Sequence, residues 1–112
     1  MVGAWEGWHT GRMVTEHVIM SVLPGREAEF EAAFAEAKHV IAGADGCRKV
    51  SVSRSEETPT NYLLLVEWDS VEHHMVGFRE SEAFVEWRRL LGHLYEPGPT
   101  VEHYTLVDSH AN

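Results

Sequence analysis

At 112 residues, 44% of them apolar, the chain has the size of one domain with a single core, and its formal net charge is −9. Nine basic residues against eighteen acidic ones, with no basic cluster beyond Arg88-Arg89, exclude nucleic acid and anionic membrane as natural partners. One cysteine, Cys47, allows no internal disulfide or cysteine-rich zinc site, and no apolar run approaches the ~20 residues of a membrane span.

Residues 1–12 are rich in Gly and Trp, lack a period and read as an N-terminal arm before a domain at 13–108, with 109–112 as a tail. The arm has neither the charged nor the apolar region of a signal peptide, and a cytoplasmic location is expected. Trp5 and Trp8 are large apolar groups to leave in water, so the arm is expected to pack on the body or on a partner subunit. Val14 to Leu23 reads as a strand, with Val18, Met20 and Val22 alternating with His17, Ile19 and Ser21; Pro24-Gly25 ends it. From Arg26 to about Ile41, Phe30, Ala33, Phe34, Ala37, Val40 and Ile41 recur at helical spacing. Gly43 follows as its stop.

Asp45-Gly46 is a turn into a weakly alternating strand, Cys47 to Ser55, and Glu56 to Asn61 is a polar hairpin loop. Tyr62 to Trp68 is the strongest strand, apolar on both faces apart from Glu67, which suits a central position. Asp69 or Ser70 caps a second helix that breaks near Gly77, resumes at Ser81 and runs to Leu94. Pro97-Gly98-Pro99 closes it, and Val101 to Val107 is the last strand. The order β-α-β-β-α-β is the ferredoxin-like split pattern: an α+β fold with a four-stranded antiparallel sheet and both helical segments on one face. Ile19, Leu63, Leu65, Val101 and Val107 supply more apolar strand surface than one helical layer covers, so a homodimer is expected, with the two sheets facing each other.

On the second helix His74 points toward the sheet beside Val71, Met75 and Phe78, whereas His73 points to solvent. His74 is therefore the candidate catalytic residue, a general base or substrate anchor near neutral pH; the alternative is a core histidine bonded to backbone. Trp68, Phe78, Phe84 and Trp87, with Phe34, are the expected aromatic wall of a substrate pocket, in which Trp87 can stack on an aromatic ligand; core packing is the alternative. Arg88 flanks that stripe and is placed to meet an anionic substrate group or Glu67. Arg79 is expected to face solvent or a partner chain. His17 and His103 oppose one another if the first and last strands are neighbours, and Tyr62 and Tyr104 can offer hydroxyls to a pocket. No HxxxH or HxH spacing, phosphate-cradling loop, nucleophile elbow or dinucleotide fingerprint occurs, so neither a metal site nor a flavin or nicotinamide cofactor is expected. Any oxygen chemistry would then draw its electrons from the substrate.

The combination LLLVEWDSVEHH, then FRESEAFVEWR, then PTVEHY, within residues 13–107, resembles the antibiotic biosynthesis monooxygenase superfamily of dimeric α+β barrels. The resemblance implies a homodimer and a small cofactor-independent monooxygenase that uses O2 on a hydroxylated aromatic or polyketide-like molecule. A non-oxidative binding or isomerising module on the same fold is the alternative. Haem-degrading members are similar at Trp68 and Phe84. Their haem-ligating histidine, helix tryptophan and first-strand asparagine would fall at Arg88, Gly77 and Val18, so haem is not expected. His74 matches the histidine often seen on this helix in the oxygenase-like members.

Overall fold

Alternation of buried and solvent-facing residues along the strands fixes which side of the sheet is covered. The computed structural model describes residues 12–112; the arm with Trp5 and Trp8 lies outside the described residues. The elements are β1 (Val14–Ser21), α1 (Glu27–Ala42), β2 (Cys47–Arg54), β3 (Asn61–Trp68), a π-helical turn (His73–Phe78), α2 (Glu82–Leu91) and β4 (Val101–Tyr104). The four strands form one antiparallel sheet in the order β2-β3-β1-β4. This is the expected βαββαβ ferredoxin-like arrangement, with β3 in the interior of the sheet.

Residues two apart on a strand share a face, and cross-strand partners share it too. Val14, Glu16, Val18 and Met20 of β1 are buried, and they pair with the buried Trp68, Val66, Leu64 and Tyr62 of β3. The helices lie on that face. Phe30, Phe34, Ala37 and Ile41 form the buried stripe of α1, at the four- and three-residue steps that keep one helical face together. Trp87 and Leu91 are the buried residues of α2. Gly46 makes the turn into β2 at φ +83, where a Cβ would sit 2.4 Å from the His73 ring. Both backbone and space therefore demand glycine.

The other face of the sheet is uncovered and presents Ile19, 50% exposed, with the half-buried Leu63 and Leu65. Two residues expected there are elsewhere. Val101 pairs with Val18 and so faces the helices. Val107 lies beyond β4 and is 94% exposed. β4 ends at Tyr104 because Tyr104 pairs with Thr15, and β1 reaches only one residue further, to Val14. The β1–β4 register also separates the two strand histidines: His103 pairs with Glu16, and His17 with Glu102. His103 thus lies on the helix side. His17 lies on the open face, its ring edge-on to Tyr104 at 5.2 Å.

Candidate active site

Three ionisable side chains meet under the helical layer. Glu16 projects inward from the middle of β1, and Trp68, diagonal to it on β3, donates its Nε1–H to Glu16 Oε1 at 2.9 Å. His74 stacks on the Trp68 ring at 5.3 Å with an interplanar angle of 17°. Its Nε2 lies 3.4 Å from Glu16 Oε1, and its Nδ1 lies 2.8 Å from Nε2 of His103. The result is a line from Glu16 through His74 to His103. Glu16 is 4% exposed and His74 3%, whereas His103 is only half-buried.

Local structure explains how His74 arrives there. Ser70 Oγ accepts the His73 amide at 3.2 Å and so caps the segment. Asp69, the other candidate cap, pairs with Arg48 instead. His73, half-buried, turns its Nδ1 to Ser70 Oγ at 2.7 Å instead. The helix then widens. The Arg79 amide donates to the His74 carbonyl, five residues back, which is π rather than α geometry. After this turn Arg79 is exposed, as expected, and also borders the cleft beneath the helices.

That cleft is a cavity of about 190 Å3. Glu16 and His74 line its buried end; Arg79, Phe84, Trp87 and Arg88 line its helical side. Tyr95 and the Gly98-Pro99 turn complete the rim. Of the residues expected to form a substrate pocket, His74, Phe84, Trp87 and Arg88 therefore share one cavity. Trp68, Phe78 and Phe34 do not reach it: they are core residues behind the wall, with Phe78 packed on Trp68, Phe84 and Trp87, and Phe34 edge-on to Trp87. Inward pointing and cavity lining are different properties, and sequence periodicity reports only the first. Arg88 does not meet Glu67, which pairs across the sheet with Thr15 and Lys49 on the opposite face. Tyr62 donates to Glu31 and Tyr104 to Glu102, so neither offers its hydroxyl to the cavity. A larger hollow of about 530 Å3, beside His17 and Tyr104, lies on the open sheet face and contains none of the buried titratable groups. Among the described residues no cluster of three or more His, Cys, Asp and Glu is arranged to hold a metal.

Sequence reasoning missed Glu16, Tyr95 and the place of Arg79 at the cavity wall. A signal for Glu16 existed: the phase that puts Val18, Met20 and Val22 inward also puts residue 16 inward, and a carboxylate in that row is out of place.

Burial raises the Glu16 carboxyl from 4.5 to about 7, against the opposing pull of the Trp68 hydrogen bond and the Arg79 charge. Burial, reinforced by His103 and Arg79, lowers His74 from 6.5 to about 3. Between about pH 3 and about pH 7 the two are thus a neutral acid beside a neutral imidazole, not an ion pair. The opposite shifts have opposite consequences for stability. A raised carboxyl costs nothing below its unfolded pKa of 4.5, and destabilises the fold increasingly as pH climbs through 7. A depressed imidazole costs nothing above 6.5 and destabilises as pH falls from 6.5 toward 3. Glu16→Gln removes only the first. Its stability relative to the parent should grow by about 3 kcal/mol between about pH 5 and about pH 8, read from urea midpoints. A difference that does not change with pH would contradict this.

The sequence profile of the antibiotic biosynthesis monooxygenases matches residues 13–90. The uncharacterized protein YczJ of Bacillus subtilis is 45% identical over 95 residues, covering 85% of this chain and all of that protein. The chain belongs to the antibiotic biosynthesis monooxygenase family. A Bordetella bronchiseptica protein proposed as a member of the same family superposes with a TM-score of 0.83 at 44% identity, over 86% of this chain and 98% of that one. SnoaB, a cofactor-independent oxygenase of Streptomyces nogalater, shares the fold at a TM-score of 0.75 and 19% identity, over 88% of this chain and 96% of its own. Among the described residues no helix is long and apolar enough to cross a membrane.

Proposed function

We propose that this family member is a small cofactor-independent monooxygenase acting on a hydroxylated aromatic or polyketide-like molecule. The observation that carries the reading is the buried Glu16–His74–His103 line at the inner end of a cavity walled by Phe84 and Trp87. A general base works best with a pKa near the operating pH, and Glu16, pushed up to about 7, meets that condition. His74 alone does not, because burial disfavours its cation. The division of labour follows. Ionised Glu16 takes the substrate hydroxyl proton. It passes that proton to His74 Nε2 while His74 releases its Nδ1 proton to His103, so His74 never carries net charge. His103, half-buried, delivers the proton outward.

The resulting aromatic anion is the reductant. It gives four electrons to O2: one oxygen atom becomes a carbonyl on the ring carbon, and the other leaves as water, taking the hydrogen that carbon held and one proton returned in place of the one removed from the hydroxyl. Phe84 and Trp87 would stack on the substrate, with Trp68 and Phe78 holding them from behind and Arg88 at the rim. The test is oxygen uptake with an anthrone-type substrate. Uptake equal to product formed is expected. Hydrogen exchange at the substrate carbon without uptake would favour the isomerising reading, for which a base and relay also suffice. No reaction with any hydroxylated two- to four-ring aromatic would overturn both.

The working unit we propose is a homodimer closed over the open sheet face, where Ile19, Leu63 and Leu65 lack cover. Light scattering at micromolar concentration should give twice the chain mass. Ile19→Lys, at the most exposed of the three, should shift that mass toward the monomer, and a monomeric parent would sink the idea.

A further inference from the structure

Carboxylates outnumber cations two to one in this chain, and most of its arginines are claimed by them. Arg26 pairs with Glu29, Arg48 with Asp69, Arg54 with Glu27 and Glu31, and Arg89 with Glu86. The two arginines of the cavity wall differ. Among the described residues, neither Arg79 nor Arg88 has a carboxylate within ion-pair distance or a side-chain hydrogen bond. Glu16 feels the charge of Arg79, but its Oε1 is held by Trp68, and it does not reach the guanidinium. The two arginines come from different elements, one from the end of the π turn and one from α2. Both converge on the Phe84 ring, with Cζ atoms 5.4 and 6.0 Å from its centroid. Cation–π contact there orients each planar group without neutralising it.

The cavity is therefore polarised. Its buried end holds Glu16 and His74; its exposed end holds two uncompensated guanidiniums flanking an aromatic face. A guanidinium fork matches a planar carboxylate in a way no neutral group does. We propose that Arg79 and Arg88 form a carboxylate-binding site, and that the cavity's ligand is a hydroxylated aromatic acid. Its hydroxyl end enters toward Glu16 and His74, and its carboxylate stays at the mouth. This names the substrate class of the site already read as an oxygenase centre, and rests on that reading only for the hydroxyl end.

The test needs binding, not turnover. Two probes, 6-hydroxy-2-naphthoate and 2-naphthol, share the ring system and hydroxyl and differ in the carboxylate. Calorimetric titration without oxygen should show the naphthoate binding at least tenfold more tightly, with the advantage shrinking at high salt. Arg79→Gln and Arg88→Gln should each reduce the advantage, and the double variant should abolish it while 2-naphthol affinity stays put. Arg89→Gln, on the same helix but paired with Glu86, should change neither. Equal affinity for the two probes, failure of the naphthoate to bind, or an advantage that survives the double variant would each overturn the proposal. A naphthoate advantage without oxygen uptake on any substrate would keep the carboxylate site and remove the oxygenase reading.

Discussion

Glu16→Gln is expected to lower oxygen-consuming turnover by about 10²–10⁴-fold, the loss typical of a missing general base. Glutamine keeps the shape and can still accept the Trp68 Nε1–H, so the pocket should stay assembled. Because the same change is expected to stabilise the fold above neutral pH, the lost activity could not be put down to unfolding. His74→Ala should cause a loss of the same order for a different reason: the base remains but its outlet to His103 is cut. Added imidazole should restore part of that rate by occupying the vacated space, whereas it should do nothing for Glu16→Gln. His73→Ala, outside the cavity and bonded to Ser70, should leave turnover nearly unchanged. Full turnover in either Glu16→Gln or His74→Ala would show that the roles given to them are wrong.

Trp68→Ala should be the most destabilising of the single changes considered, costing about 3–5 kcal/mol. The ring is fully buried, stacks on His74, packs on Phe78 and donates to Glu16, so truncation leaves both a void and a buried carboxyl without its donor. Domains of this size are stable by about 5–15 kcal/mol, so the loss is a large share of the total. Trp68→Phe separates the two components. It retains most of the volume but loses the N–H, and should cost about 1–3 kcal/mol, more at pH 8 than at pH 5, because ionised Glu16 needs the donor most. Urea titration at the two pH values measures both. A loss below about 1 kcal/mol for Trp68→Ala would mean that the site relaxes around the gap in a way this packing does not suggest.

The fold was legible because its elements differ in period. Phe30, Phe34, Ala37 and Ile41 can share a face only on a helix, and the apolar Tyr62–Trp68 segment belongs in the interior of a sheet. The site was legible in part. His74 could be aimed inward from Val71 by counting alone. Whether an inward aromatic meets a cavity or another aromatic depends on the third dimension, so Trp68 and Phe78 were indistinguishable from Phe84 and Trp87. His103 could not be assigned at all, since its partner Glu16 is fixed by a register between strands 80 and more residues apart. Arg79 is exposed, as its place at the helix break implies, but its position at the cavity wall depends on the wider turn, which no sequence period reports.

That wider turn has a consequence for descent within the family. It holds one residue more than a regular turn between the His74 carbonyl and the Arg79 amide. Deleting a single codon among Met75, Val76 and Gly77 would let the backbone close as ordinary helix. His74, upstream, would keep its place on Trp68, and Arg79 would keep its bond to the His74 carbonyl, now four residues back, so the helix downstream would hold its position. A one-residue deletion here is thus a genetic step that exchanges the wide turn for a regular one and leaves both the arginine at the mouth of the cavity and the proton path in place. Alignments that run through this segment without a gap would pair residues that do not occupy the same place.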